Sequence, residues 1–245
     1  MPRQARTNSS TGYLHIIARG IGKQILFEEA EDYRFYLSIL ERFSAETEIT
    51  VLAYCLMDNH VHLLVLDKEG KAPLLMKKTG VSYSGYFNRK YNRSGHLFQD
   101  RYKSEAIEDD AYLLSVFRYI LNNPQKAGIG AASDYPWNSY SCYGKADTFV
   151  DTRILCDLIG DRRRYRAFLH KENDDVCLEY EKQKHDDEWA KSILRAYLNG
   201  ESGTVLQSYD RVERNIALRN LKREGISIRQ LERLTGINRG VVQKA

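Results

Sequence analysis

Residues 55–66 read Cys55-Leu56-Met57-Asp58-Asn59-His60-Val61-His62-Leu63-Leu64-Val65-Leu66. Asp58-Asn59 is a tight-turn signal between two apolar runs, so the stretch is the end of one strand, a turn and a second strand. Side chains two apart on a strand share a face. His60, His62, Leu64 and Leu66 therefore line one side of the second strand, and Val61, Leu63 and Val65 the other. A strand that is apolar on both faces is central and covered on both sides. Two imidazoles pointing the same way at its mouth are costly to bury, and their spread suits one metal ion.

The pattern continues in both directions. Gly12 to Ile21 reads as a strand that ends in the flexible Arg19-Gly20-Ile21-Gly22 turn. Glu29 to Glu46 reads as an amphipathic helix, with Tyr33, Tyr36, Leu37, Leu40 and Phe43 at steps of three and four. Ile49 to Met57 is the first hairpin strand. Ala72 to Tyr91 reads as a second helix, Tyr102 to Ile107 as a fourth strand, and Ala111 to Asn122 as a third helix that Pro124 stops. The order is that of an α+β, ferredoxin-like antiparallel sheet (β-α-β-β-α-β) with an added helix near the histidine strand. Beyond Asp147 strand-like alternation disappears and charged helix formers take over. The expected domains are residues 1–147 and an all-helical domain, 148–245, ending in a helix-turn-helix from Tyr209 to Ala245.

The bulk numbers exclude little. The 245 residues are 42% apolar and 29% charged, with a net charge of +4. That mild basic balance permits a nucleic-acid partner without requiring one. Cys55, Cys142, Cys156 and Cys177 lack CxxC spacing, which argues against a disulfide framework and for a reducing, cytoplasmic setting. Neither a signal peptide nor an apolar run of membrane-spanning length is apparent, so no membrane partner is expected.

The third helix carries the chemistry. Tyr119 and Asn123 are four residues apart and share one helix face. Asn123 completes a set of three metal donors with His60 and His62, and two imidazoles, an amide and open positions suit Mn²⁺ or Mg²⁺. Tyr119 would then attack a metal-held phosphodiester and form a covalent phosphotyrosine. Tyr83, Tyr86 and Tyr91 are rival nucleophiles, but none has Asn or Gln four residues on. The plainer alternatives are that Asn123 is only a helix-terminal residue before Pro124, and that His15 and His96 are packing or DNA-facing groups.

These residues resemble the HUH single-strand endonucleases, and more closely the single-tyrosine transposases of the IS200/IS605 type with their REP-associated relatives. The resemblance rests on ordered segments: Arg19-Gly20; Leu56 to Leu64; Gly95-His96-Leu97-Phe98-Gln99-Asp100-Arg101-Tyr102-Lys103-Ser104; Tyr119-Ile120-Leu121-Asn122-Asn123-Pro124; Lys126-Ala127-Gly128; and Trp137-Asn138-Ser139-Tyr140. It implies metal-dependent cleavage and strand transfer of single-stranded or hairpin DNA, with Tyr119 as nucleophile and His60, His62 and Asn123 on the metal. The family's third ligand is often Gln, one methylene longer than Asn123. Mobile-element members work as homodimers and REP-associated relatives as monomers, so the resemblance implies either state.

Arg89, Lys90, Arg93, Arg101 and Lys103 are interleaved with Tyr86, Phe87, Tyr91, Phe98 and Tyr102, which suits a single strand with its phosphates and stacked bases. Arg19 is a further phosphate contact, and Arg239 opens the last, recognition helix of the helix-turn-helix. The bland counterparts are a solvated basic face and a protein-contact module. A catalytically silent DNA-binding regulator built on the same fold is the alternative function.

Overall fold

The computed structural model describes residues 9–171, 177–178 and 187–245. Contacts divide the chain into two compact units, Met1–Tyr180 and Glu181–Ala245. The first contains β1 (Tyr13–Arg19), α1 (Ala30–Thr47), β2 (Thr50–Met57), β3 (His60–Leu66), α2 (Ala72–Lys90), β4 (Lys103–Ile107) and α3 (Asp110–Leu121). The expected β-α-β-β-α-β order is present. The strands lie in the order β2-β3-β1-β4, each antiparallel to its neighbours.

Register fixes which face holds the histidines. His62 lies opposite Ile17 on β1 and Cys55 on β2, and directly opposed residues share a face. The other face, with Ile16, Leu56, Val61, Leu63 and Val65, packs on Tyr36, Leu40, Leu75 and Phe87 of α1 and α2. α3 covers the histidine face, where Ala53, Cys55, Leu64 and Ile107 meet Leu113, Val116, Phe117 and Ile120. This is why β3 is apolar on both sides. Val61, Leu63 and Val65 are fully buried, worth about 1.5–3 kcal/mol each against exposure. A one-residue slip of β3 would send them to the α3 side and turn both histidines towards α1 and α2, so core packing and site orientation are one constraint.

The third helix ends at Asn122 as expected, but the chain then restarts as a single turn, α4 (Asn123–Lys126), with the proline in its first turn, where a missing N–H costs nothing. α5 (Arg153–Ile159) and α6 (Arg162–Leu169) follow, and their Leu155, Tyr165 and Leu169 join the α3 core. The composition change near residue 147 therefore marks where strands end, while the compact unit runs on to Tyr180. α6 is capped at its start by Asp161, whose carboxylate accepts from Arg164 N at 2.8 Å.

The second unit comprises α7 (Asp187–Tyr197), α8 (Arg211–Arg223), α9 (Ile228–Thr235) and α10 (Arg239–Lys244) around Leu194, Leu206, Leu218, Leu221, Leu231 and Val242. Ser227 and Gln230 form a capping box at the start of α9, Gly236 ends it with φ 71°, and Asn238 caps α10. Val212 and Ile216 of α8 are exposed. α8 buries Ala217, Leu218 and Leu221, and Val212 lies about half a turn round the helix from Leu221. Among the described residues no helix is long and apolar enough to cross a membrane.

Candidate active site

The β2–β3 turn that carries His60 is tied down on both sides. The Asp58 carbonyl accepts from Leu26 N at 2.6 Å and Phe27 N at 3.2 Å, and Tyr33 Oη donates to Asp58 Oδ1 at 2.9 Å. Gly20 N donates to the Asn59 carbonyl at 2.9 Å, joining the exit of β1 to the turn. A Cβ at Gly20 would lie 2.2 Å from the Gln24 carbonyl oxygen, so this bend excludes any larger residue.

The His60 and His62 rings lie 5.0 Å apart, centroid to centroid. His60 Nδ1 is 2.7 Å from Asn59 Oδ1, an atom that only accepts, so the proton sits on Nδ1 and the Nε2 lone pair is left for a ligand. Burial pushes His60 down to about 4; a hydrogen bond with the Asn123 carboxamide opposes the fall, Arg19 adds to it, and Asp58 opposes it. Burial, then the neighbouring His60, His15 and Lys126, hold His62 well below the ordinary histidine value. Both rings are therefore neutral at neutral pH, the state in which imidazole binds a metal.

α3 brings in the rest. Its start is capped by Asp109, whose carboxylate accepts from Tyr112 N at 2.7 Å, and its apolar face anchors it across the sheet. Tyr119 lands edge-on to His62, ring centroids 5.6 Å apart, and is 4% exposed. One turn on, Asn123 is buried and reaches His60, while its Nδ2 lies 3.5 Å from the Tyr119 carbonyl. With the amide nitrogen turned that way, Oδ1 is the atom available to a cation. Among the described residues no three His, Cys, Asp or Glu side chains cluster as a metal site. A third donor here would be the Asn123 amide, and two neutral imidazoles plus one amide oxygen would fit a six-coordinate Mn²⁺ or Mg²⁺ that keeps open positions.

Two neighbours of the site have no catalytic role in the sequence reading, where Lys126 has none at all and His15 is a packing or DNA-facing group. Lys126 Nζ sits 4.3 Å from the centre of the Tyr119 ring, brought there by the α4 turn. His15 Nε2 lies 3.0 Å from His62 Nδ1, and the two rings meet edge to edge, 24° from coplanar, with centroids 5.3 Å apart. Its place on the histidine face is readable from strand period, but its contact needs the β1–β3 register.

The basic residues scatter. Arg19 ends β1 directly opposite His60, beside the site. Lys103 lies on the histidine face of the edge strand β4, paired with Ile17. Arg89 is exposed on α2. Arg93 donates to Gln24 Oε1 at 2.8 Å and lies over the Phe87 ring. Arg101 lines a cavity of about 910 Å³ between α2 and residues 95–102. Lys90 is held by Glu29 at 3.2 Å and by Glu31 and Asp32 at 2.8 Å, so its charge is already matched within the protein. Arg239 is exposed at the start of α10, in the other unit.

Residues 8–123 match the family model described as transposase IS200 like. Among solved structures, the fold is similar to that of a REP-associated tyrosine transposase bound to a REP hairpin, with 14% identity, coverage of 58% of this chain and 84% of that one, and a TM-score of 0.51. A candidate transposase from Deinococcus radiodurans R1 aligns at 17% identity over 53% of this chain and 98% of its own, with a TM-score of 0.35, too low to bear on the fold. None of the curated proteins compared with the chain matches it. The family match takes in the whole sheet and α1 to α3 and ends at Asn123, the amide beside His60, so residues 8–123 are similar to an IS200-like transposase domain.

Proposed function

We propose that this protein cuts and rejoins single-stranded DNA through a covalent 5′-phosphotyrosine at Tyr119. The observation that carries the reading is the placement of Tyr119 edge-on to His62, 5.6 Å between centroids, with Asn123 one turn on against His60. His60 and His62 offer Nε2 lone pairs and Asn123 an amide oxygen to Mn²⁺ or Mg²⁺. A bound ion supplies Lewis-acid polarisation of the phosphate. Tyr119 Oη forms a bond to phosphorus as the bond to the 3′ oxygen breaks, and that oxygen leaves as a hydroxyl, with the proton the phenol gives up. A later 3′ hydroxyl reverses the step on a new strand and frees the tyrosine. Arg19 and Lys103, on the same face as the histidines, are the basic groups best placed to hold the strand's phosphates.

Hairpin DNA is the substrate class to test, because a protein of similar fold was solved on a REP hairpin. The nuclease function is assigned to residues 1–147 and an accessory DNA contact through Arg239 to the helices beyond. The setting is cytoplasmic, and a homodimer is among the working states. With Mn²⁺ and labelled single-stranded hairpins, the wild type forms a protein–DNA adduct stable to denaturant, and Tyr119→Phe forms none. Adducts that persist in Tyr119→Phe overturn the assignment.

The 4% exposure of Tyr119 favours a second reading, a catalytically silent hairpin-binding regulator. That reading predicts tight, metal-independent binding and no adduct from the wild type in the same assay.

A further inference from the structure

His15 has no part in the reaction as described, yet it is the most unusual residue near the site. It is fully buried, among the described residues its Nδ1 meets no hydrogen-bond partner, and its Nε2 lies 3.0 Å from His62 Nδ1. A buried ring nitrogen without a partner costs stability. An apolar ring would fill the same space without that cost, so packing alone does not explain an imidazole here.

The hydrogen bond explains it. Two neutral imidazoles facing each other share one proton between His15 Nε2 and His62 Nδ1, and only two arrangements exist. If His15 donates, His62 carries its own proton on Nε2, and that atom has no lone pair for a metal. If His62 donates from Nδ1, its Nε2 lone pair faces the site, and the His15 proton moves to the partnerless Nδ1. His60 has its equivalent support in Asn59, an acceptor that fixes the proton on Nδ1. Among the described residues, His62 has His15 alone.

We propose that His15 is the positioning residue of the metal site: it accepts from His62 Nδ1, turns the His62 Nε2 lone pair to the cation, and takes the unpartnered proton on its own Nδ1. The role rests on the metal reading given above. A ring nitrogen that orients a metal-bound histidine contributes about 10–100-fold in metal affinity. The same nitrogen burdens folding, so affinity and stability respond in opposite directions to its removal. A purely structural residue would move them together.

Mn²⁺ affinity by titration calorimetry, thermal stability, and the His62 tautomer by ¹⁵N NMR with Mg²⁺ test the proposal on the full chain. His15→Phe should bind Mn²⁺ about 10–100-fold more weakly with a melting temperature no lower than wild type. His15→Gln, which can accept through its amide oxygen, should regain most of the affinity. His62 in Mg²⁺-loaded wild type should carry its proton on Nδ1. An affinity for His15→Phe within twofold of wild type, or a loaded His62 protonated on Nε2, overturns the role of His15 while leaving the metal reading intact. A wild type that binds neither ion overturns both.

Discussion

Asp32 and Lys90 separate a structural charge from a DNA-binding one. Asp32 is fully buried at the start of α1 and accepts from the Glu28 and Glu29 amides at 2.9 and 3.0 Å, Tyr86 at 2.9 Å, Tyr91 at 2.7 Å and Lys90 at 2.8 Å. Burial works to raise its pKa, but the hydrogen bonds from Lys90, Tyr91 and the two amides outweigh it and hold the carboxyl at about 2. A carboxylate lowered from 3.8 to about 2 contributes up to about 2.5 kcal/mol at neutral pH, discounted to roughly 1–2 kcal/mol because Lys90 on the outer side is partly solvated. The folded-state value lies below the unfolded one, so this stability is complete above pH 4 and disappears as the pH falls through 4 towards 2. Asp32→Asn should therefore lose roughly 1–2 kcal/mol in urea unfolding at pH 7, with the gap to wild type closing below pH 4. Lys90→Met, which removes the counter-charge, should lower stability at pH 7 and leave the salt dependence of hairpin binding unchanged. A phosphate contact would instead lower the slope of log affinity against log salt by about one. A stable Lys90→Met whose salt slope drops by that amount would refute the reasoning.

Other outcomes follow from the same geometry. Lys126→Met removes the cation over the Tyr119 ring, and its adduct formation rate should fall about 3–30-fold, the equivalent of 0.5–2 kcal/mol, with hairpin affinity little changed in a gel-shift assay. Gly20→Ala forces a Cβ against the Gln24 carbonyl and should destabilise the domain by about 1–3 kcal/mol in chemical unfolding. Ser227→Ala breaks the capping box of α9 and should cost the C-terminal unit about 1 kcal/mol in its own unfolding transition.

Much of the first unit was legible because its signals are local. The Asp58-Asn59 turn and the period-2 run after it define the hairpin and the face shared by His60 and His62. The four-residue step from Tyr119 to Asn123 predicts phenol and amide one turn apart, and the restart at Asn123 keeps that spacing across the end of α3. What escaped needed information from elsewhere in the chain. His15 read as a packing residue because its contact depends on the register of β1 against β3, set by hydrogen bonds between residues about 47 apart. Lys126 lay beyond a proline taken as a stop, and only the restart at Asn123 carries it back over Tyr119. Lys90 counted as a free cation because Glu29, Glu31 and Asp32 are distant in sequence.

Tyr119 and Asn123 ride on successive turns of one helical arm, while His60 and His62 belong to the sheet beneath it. An ion seated between them would act as a rivet between arm and floor. The reach of the phenol and the grip on the ion could then not be adjusted independently. Any displacement of the arm that carried the nucleophile towards a strand would also loosen the rivet, so loading the ion and aiming the phenol would be a single event.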